Sequence, residues 1–281
     1  MRVLLSVGAR ASNRFAAEGR FATLFKEIIM PTFFATKSAA VALSLVFGLG
    51  QPAAAQAFKT EALVPLAPHP MGPILAEGEA AVSETARLLT GLTAIERDMM
   101  LGMLFLQDGL TSTVGSHFTH PRKESWPTIK DGLAAAGIAD IEPLLVALEA
   151  ETDAAAVTAA SNNVTTALLT AQSALKPSDQ DRIMAILAGV RAAHDRFNPA
   201  GPTEVVDFQD GWAGLIIERG KVDFLLKSAD PVVAKAAQDM GRALDDVILS
   251  MPDPGVTAPV DFDPAPVSAL LSQLEALAGS A

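Results

Sequence analysis

Apolar residues recur along most of this chain at every third or fourth position, the period of an α-helix and not the alternation of a strand. In residues 74–89, Ile74, Ala81, Val82, Thr85, Leu88 and Leu89 fall near one face; in residues 94–110, Ile95, Met99, Met103 and Leu106 make a second stripe. Residues 141–151 and 154–175 are rich in Ala and Leu, strong helix formers. Ser178 opens a helix through Arg196, with Asp181 three residues on as the partner in a capping box. Residues 204–227 form the next helix, and Asp230-Pro231 starts another in the favoured cap-then-proline order, running to about Leu249. Residues 251–266 are rich in Pro and Asp and read as a linker, after which residues 267–278 make a last short helix. No stretch beyond residue 57 combines alternation with β-branched enrichment, so the expectation is an all-α fold. Its form is an up-and-down helical bundle, or two stacked bundles that share a long helix.

The amino-terminal part follows a different rule. From Met30 a short stretch carrying Lys37 leads into the apolar run 39–50, then Pro52 and the small residues Ala55 and Ala57. A basic region, a greasy core of about a dozen residues and an Ala-x-Ala site are the parts of a secretory signal peptide. Residues 30–57 therefore read as a signal peptide cleaved near Ala57, a membrane anchor being the competing reading of the same run. Residues 1–29 read as an upstream extension before the true start at Met30. That leaves a bundle domain over residues 58–250, entered through a Pro-marked stretch at 64–73, then the linker and the helix of residues 267–281. The implied location is the periplasm, with no stable membrane anchor after cleavage.

Composition narrows the chemistry. Half of the 281 residues are apolar, the formal charge is −11, and Cys and Tyr are absent. Removing a basic leader makes the exported chain more acidic still. Such a surface repels nucleic acid and anionic lipid and attracts cations. Thiolate chemistry and disulfides are excluded. The sequence has no Gly-x-Ser-x-Gly, His-Glu-x-x-His, Gly-rich phosphate loop or dinucleotide fingerprint, and no paired Glu-x-x-His segments of the di-iron type. Nucleophilic catalysis finds little support in these motifs.

The four His are His69, His117, His120 and His194, and two of them fall in the unusual stretch Gly115-Ser-His-Phe-Thr-His-Pro-Arg-Lys-Glu-Ser-Trp126. Pro121 disfavours helical geometry at His120 and suits a first helical position, which puts both His in a loop entering a helix, with Glu124 in its first turn. Imidazoles and a carboxylate at this spacing suit Fe, Zn, Ni or Cu by ligand type. The plainer alternative is that His120 caps the helix and His117 packs beside Trp126. A second group, Asp207 and Asp210, stands at i and i+3 on one helix face. Either these acids, with Glu204, serve the helix dipole, or they close a site against His117 and His120. Met99 and Met103 lie one turn apart just before the His loop; thioethers bind Cu(I), though such Met residues also fill cores.

Taken in order, the apolar helix Met100-Leu-Gly-Met-Leu-Phe-Leu, the His-Phe-Thr-His-Pro-x-x-Glu-x-Trp stretch and the later Val-Asp-Phe-Gln-Asp resemble a family of exported, all-helical proteobacterial proteins. Those pair a Gly-His-Leu helix and a His-Phe-x-His-Pro-x-Glu-Glu-x-Tyr loop with a Val-Glu-Tyr-Gln-Asp segment, and are distantly similar to imelysin-type, iron-regulated periplasmic bundles. The resemblance spans roughly residues 89–249. It implies that His117, His120, Glu124, Asp207 and Asp210 are metal ligands, with Gln209 behind them and Met103 as a soft ligand where the family has His. Lys123 stands where the family has the first of two Glu. The resulting expectation is a periplasmic, non-catalytic protein that binds or handles iron or another transition metal, as ion or complex. A scaffold that binds an envelope partner or peptide is the alternative, and an imelysin-like metallopeptidase the third.

Overall fold

The computed structural model describes residues 82–107 and 117–278. The leader, the cleavage position, the upstream extension, the Pro-marked entry with His69, and the chain between residues 108 and 116 lie outside the described residues. What is described is all-α. Its helices are α1 (Glu84–Gln107), α2 (Trp126–Ala135), α3 (Glu142–Ala150), α4 (Ala154–Ala174), α5 (Asp179–His194), α6 (Val205–Leu225), α7 (Pro231–Ser250) and α8 (Ala265–Ala278), with a π-helical turn, Pro121–Ser125, running directly into α2. Among the described residues no helix is long and apolar enough to cross a membrane. The only β pairing among them is an isolated bridge between Thr203 and Val260.

Helix ends follow local chemistry. Ser178 and Asp181 form the reciprocal capping box expected at the start of α5. Asp230 accepts from the Val232 N–H ahead of Pro231, and Asp153 accepts from the amides of Ala155 and Ala156 at the head of α4. Gly137, at φ 74°, ends α2: its N–H reaches the Ala134 carbonyl while the Ile138 N–H reaches that of Leu133, closing a Schellman motif.

The central element is α1. It packs against α2 and α4 on one side and against α5 and α6 on the other, while α5, α6, α7 and α8 pack among themselves. Two groups of helices thus share one long helix. The first group closes over Leu92, Ile95, Trp126, Leu133, Leu145 and Leu168, all buried. The second buries Ile183, Val190, Phe208, Leu215, Leu244 and Leu274. The sequence pattern divides this helix between Leu89 and Ala94, whereas the chain runs through unbroken. The reason is packing: a Cβ on Gly91 would stand 2.3 Å from Ile129 Cγ2, so this glycine lets α2 approach α1 closely.

The stretch 251–264 has no regular structure, the last helix starting two residues earlier than its sequence pattern predicts, yet it is no free tether. Thr203 and Val260 exchange backbone hydrogen bonds of 2.7 and 2.8 Å. Phe262 is buried against Phe197 and Phe208, with ring centroids 4.9 and 6.2 Å away. These contacts clamp the entry to α6, which carries one wall of the site described next.

Candidate metal centre

Three segments supply the polar groups of the centre. From α1 come Arg97 and Asp98; from the turn leading into the π-helix, His117 and His120; from the second turn of α6, Asp210. Glu96, Arg97 and Asp98 are consecutive, so they fan over more than half the helix circumference. On a helix packed from both sides, charged groups so spread cannot all reach solvent, and Asp98 is only 1% exposed.

Pro121 is the first residue of the π-helical turn, as its missing N–H favours, but His120 before it adopts αR geometry (φ −64°, ψ −43°) and not the extended form that the proline disfavours least. The wider π-turn is the adjustment that accommodates it. His120 makes no side-chain cap hydrogen bond. His117 does not lie beside Trp126 in the way the plainer sequence reading has it: its ring stacks on Phe105 at 5.6 Å and meets the His120 ring edge-on at 5.5 Å, while the Trp126 indole donates to Glu142.

Distances define the centre. His117 Nδ1 lies 3.7 Å from Asp98 Oδ1 and 4.0 Å from Asp210 Oδ1, close approaches that are too long for hydrogen bonds. His117 Nδ1 and Asp210 Oδ1 are both buried and make no hydrogen bond, although buried polar atoms nearly always do. Asp98, His117 and His120 each offer a ligand atom, all within 4.8 Å of one another, and this group can hold a metal ion. Donors on one Zn-sized ion stand about 3.4 Å apart in a tetrahedron and at most about 4.2 Å apart. The 3.7 and 4.0 Å separations from His117 therefore need a contraction of only tenths of an ångström.

The surroundings hold Asp98 and Arg97 in their charged states. Burial pushes the Asp98 carboxyl up, but the Arg97 guanidinium and the two imidazoles outweigh it and keep the group below its ordinary range. Burial likewise works against the charge on Arg97, which Asp98, Asp210 and Glu124 more than restore. Arg97 Nη2 is 3.2 Å from Asp98 Oδ1. Arg196, from the turn after α5, approaches the outer oxygen of Asp210 at 3.6 Å and bonds Asp207 at 3.2 Å.

The residues expected to ligate divide accordingly. The two distant stretches do meet, through His117 and Asp210, with His120 beside His117. Asp207 is engaged by Arg196, and Glu124 faces Arg97 from the π-turn without joining the compact donor group. Gln209 donates to the Pro254 carbonyl at 2.8 Å, which again ties α6 to the 251–266 stretch. Met103 packs against the hydrophobic core of the first helix group, of which buried Met99 is a member. Asp98 is the donor that motif spacing missed.

Gly102 supports the centre from below. A Cβ there would stand 2.6–2.8 Å from the ring of Phe118, which is fully buried next to His117. Gly102→Ala is expected to cost about 1–3 kcal/mol by overpacking. Because Phe118 cannot shift without its neighbour, metal affinity should fall as well; urea denaturation and metal titration of the same variant check both.

Comparison with protein-family models, curated proteins and solved structures returned no match. The centre therefore has to be interpreted from its own geometry.

Proposed function

We propose that the protein is an exported, non-catalytic helical bundle that binds or handles a transition metal ion, iron among the candidates, through Asp98, His117, His120 and Asp210. One observation carries the reading: His117 Nδ1 and Asp210 Oδ1 face each other at 4.0 Å, buried and without hydrogen-bond partners. Two polar atoms left so are costly unless a further group satisfies both. A cation between an imidazole and a carboxylate does that, and the Asp98 carboxylate stands ready to share it. The signal-peptide pattern at residues 30–57 supports export, and the resemblance to imelysin-type bundles points the same way.

Burial favours binding over catalysis. Metal-dependent hydrolysis needs a ligand position open to substrate and a base beside it. Here Asp98 and His117 are 1% and 7% exposed, and two guanidinium groups crowd the acidic donors.

The test is titration of residues 58–281 with Zn2+, Co2+ and anaerobic Fe2+, followed by thermal unfolding. Free ion at a hundred times Kd should stabilise the fold by about 2.7 kcal/mol. His120→Ala should lose most of that gain. A His120→Ala variant that binds as tightly as the unaltered protein removes His120 from the site, and a protein that no ion stabilises refutes the reading.

A further inference from the structure

Resting on that metal-binding reading, we infer that the centre selects its ion by charge and softness: it takes a divalent ion of borderline softness and discriminates against trivalent ions and Cu(I). Among the described residues, the charged groups that act on one another at the centre are two guanidinium groups, Arg97 and Arg196, and four carboxylates, Asp98, Asp207, Asp210 and, through its field on Arg97, Glu124. With both imidazoles neutral, the form in which a ring nitrogen ligates, these groups carry a net charge of −2. A divalent ion brings the cluster to neutrality. A trivalent ion leaves one positive charge among groups that are mostly shielded from water, which none of these side chains offsets.

The donor atoms set the second criterion. Two imidazole nitrogens and two carboxylate oxygens suit Zn2+, Co2+, Ni2+ or Fe2+. Cu(I) prefers thioether or thiolate; the sequence has no Cys, and Met99 and Met103 are both engaged in the apolar core. The two unpartnered buried atoms, His117 Nδ1 and Asp210 Oδ1, come one from each ligand type, so a donor set of this mixed character is built into the fold.

Zn2+ and Ga3+, similar in size and unlike in charge, make the test, each buffered with nitrilotriacetate to fix the free-ion concentration. Zn2+ should bind about a hundredfold more tightly than Ga3+, the scale of one unit charge uncompensated at a partly buried site. Arg196 is not a ligand but adds one positive charge, so Arg196→Gln should narrow the Zn2+/Ga3+ ratio about tenfold. Asp207→Asn, at a more exposed position, should widen it by a similar factor, and it serves if Arg196→Gln does not fold. Circular dichroism checks that each variant keeps its helices. If Zn2+ binds and Ga3+ binds equally or more tightly, or if the ratio is the same in the folded variants, selection by charge is wrong while metal binding stands. If neither ion binds, both fall.

Discussion

Asp98→Ala is expected to lose metal binding and about 3 kcal/mol of stability together. The carboxylate is 2% exposed and its partner Arg97 is 17% exposed, at 3.2 Å. Deleting one member of a buried pair strands the other, a loss of roughly 3–5 kcal/mol, and the lower end applies because Asp210 and Glu124 still face the guanidinium. For a domain of this size that is a fall in Tm of about 6–12 °C. The acid dependence has a definite sign. The folded carboxyl titrates below the ordinary aspartate value of 3.8, so its contribution is present above that pH and is lost as the pH falls through the folded value. Wild type and variant should therefore differ fully at neutral pH and converge in acid. Arg97→Met/Asp98→Leu, which removes both charges and keeps apolar volume, should recover much of the stability but none of the metal binding. Urea denaturation between pH 2 and 7, with Zn2+ titration at pH 7, checks all of this; a double variant as unstable as Asp98→Ala would show that the pair is not the cause.

The sequence makes the helical class legible because periodicity and caps are local. The Ser178/Asp181 box and the Asp230-Pro231 start form as their spacing requires, since each depends on three or four neighbouring residues. Long-range packing is what spacing cannot see. Gly91 falls in the gap between two predicted helices, and only the approach of Ile129 shows what it is for. The Pro- and Asp-rich composition of 251–266 hides Val260 and Phe262, and an aromatic residue in an apparent linker was the available sign that the stretch is anchored. For the centre, His117, His120 and Asp210 were readable from unusual local runs. Asp98 was not, because it falls between Ile95 and Met99 on a stripe already assigned to the core. The run Glu96-Arg97-Asp98 was the usable signal: three consecutive charges on an otherwise apolar helix must put at least one of them indoors.

That same run puts Glu96 into a second buried polar group, on the side of α1 that faces α6. Glu96 is in contact with the Lys221 ammonium, which also donates to Gln172 Oε1 at 2.8 Å. Glu218, one turn before Lys221, is 2% exposed and lies so close to α5 that a Cβ on Gly189 would stand 1.8 Å from its Oε1. Burial pushes the Glu218 carboxyl well above the usual range; Lys221 opposes this and Glu96 adds to it. One ammonium thus balances one carboxylate, and Glu218 is the proton-bearing member.

The consequence is a cost that grows with pH. An acid whose folded pKa is raised stabilises the fold fully below its unfolded value near 4.5, and that contribution is lost as the pH rises towards the folded value. Within that window the loss is about 1.4 kcal/mol per pH unit, because the unfolded chain releases a proton that the folded chain retains. Glu218→Gln keeps the shape and a polar head while removing the titration. It should match wild type below pH 4.5 and become progressively more stable above it, with helix content unchanged. Stability curves measured by urea denaturation from pH 4 to 9 decide the matter. Curves that stay parallel across the range would mean that Glu218 ionises in the folded protein as readily as in the unfolded chain, and that Lys221, although paired with Glu96, compensates both carboxylates.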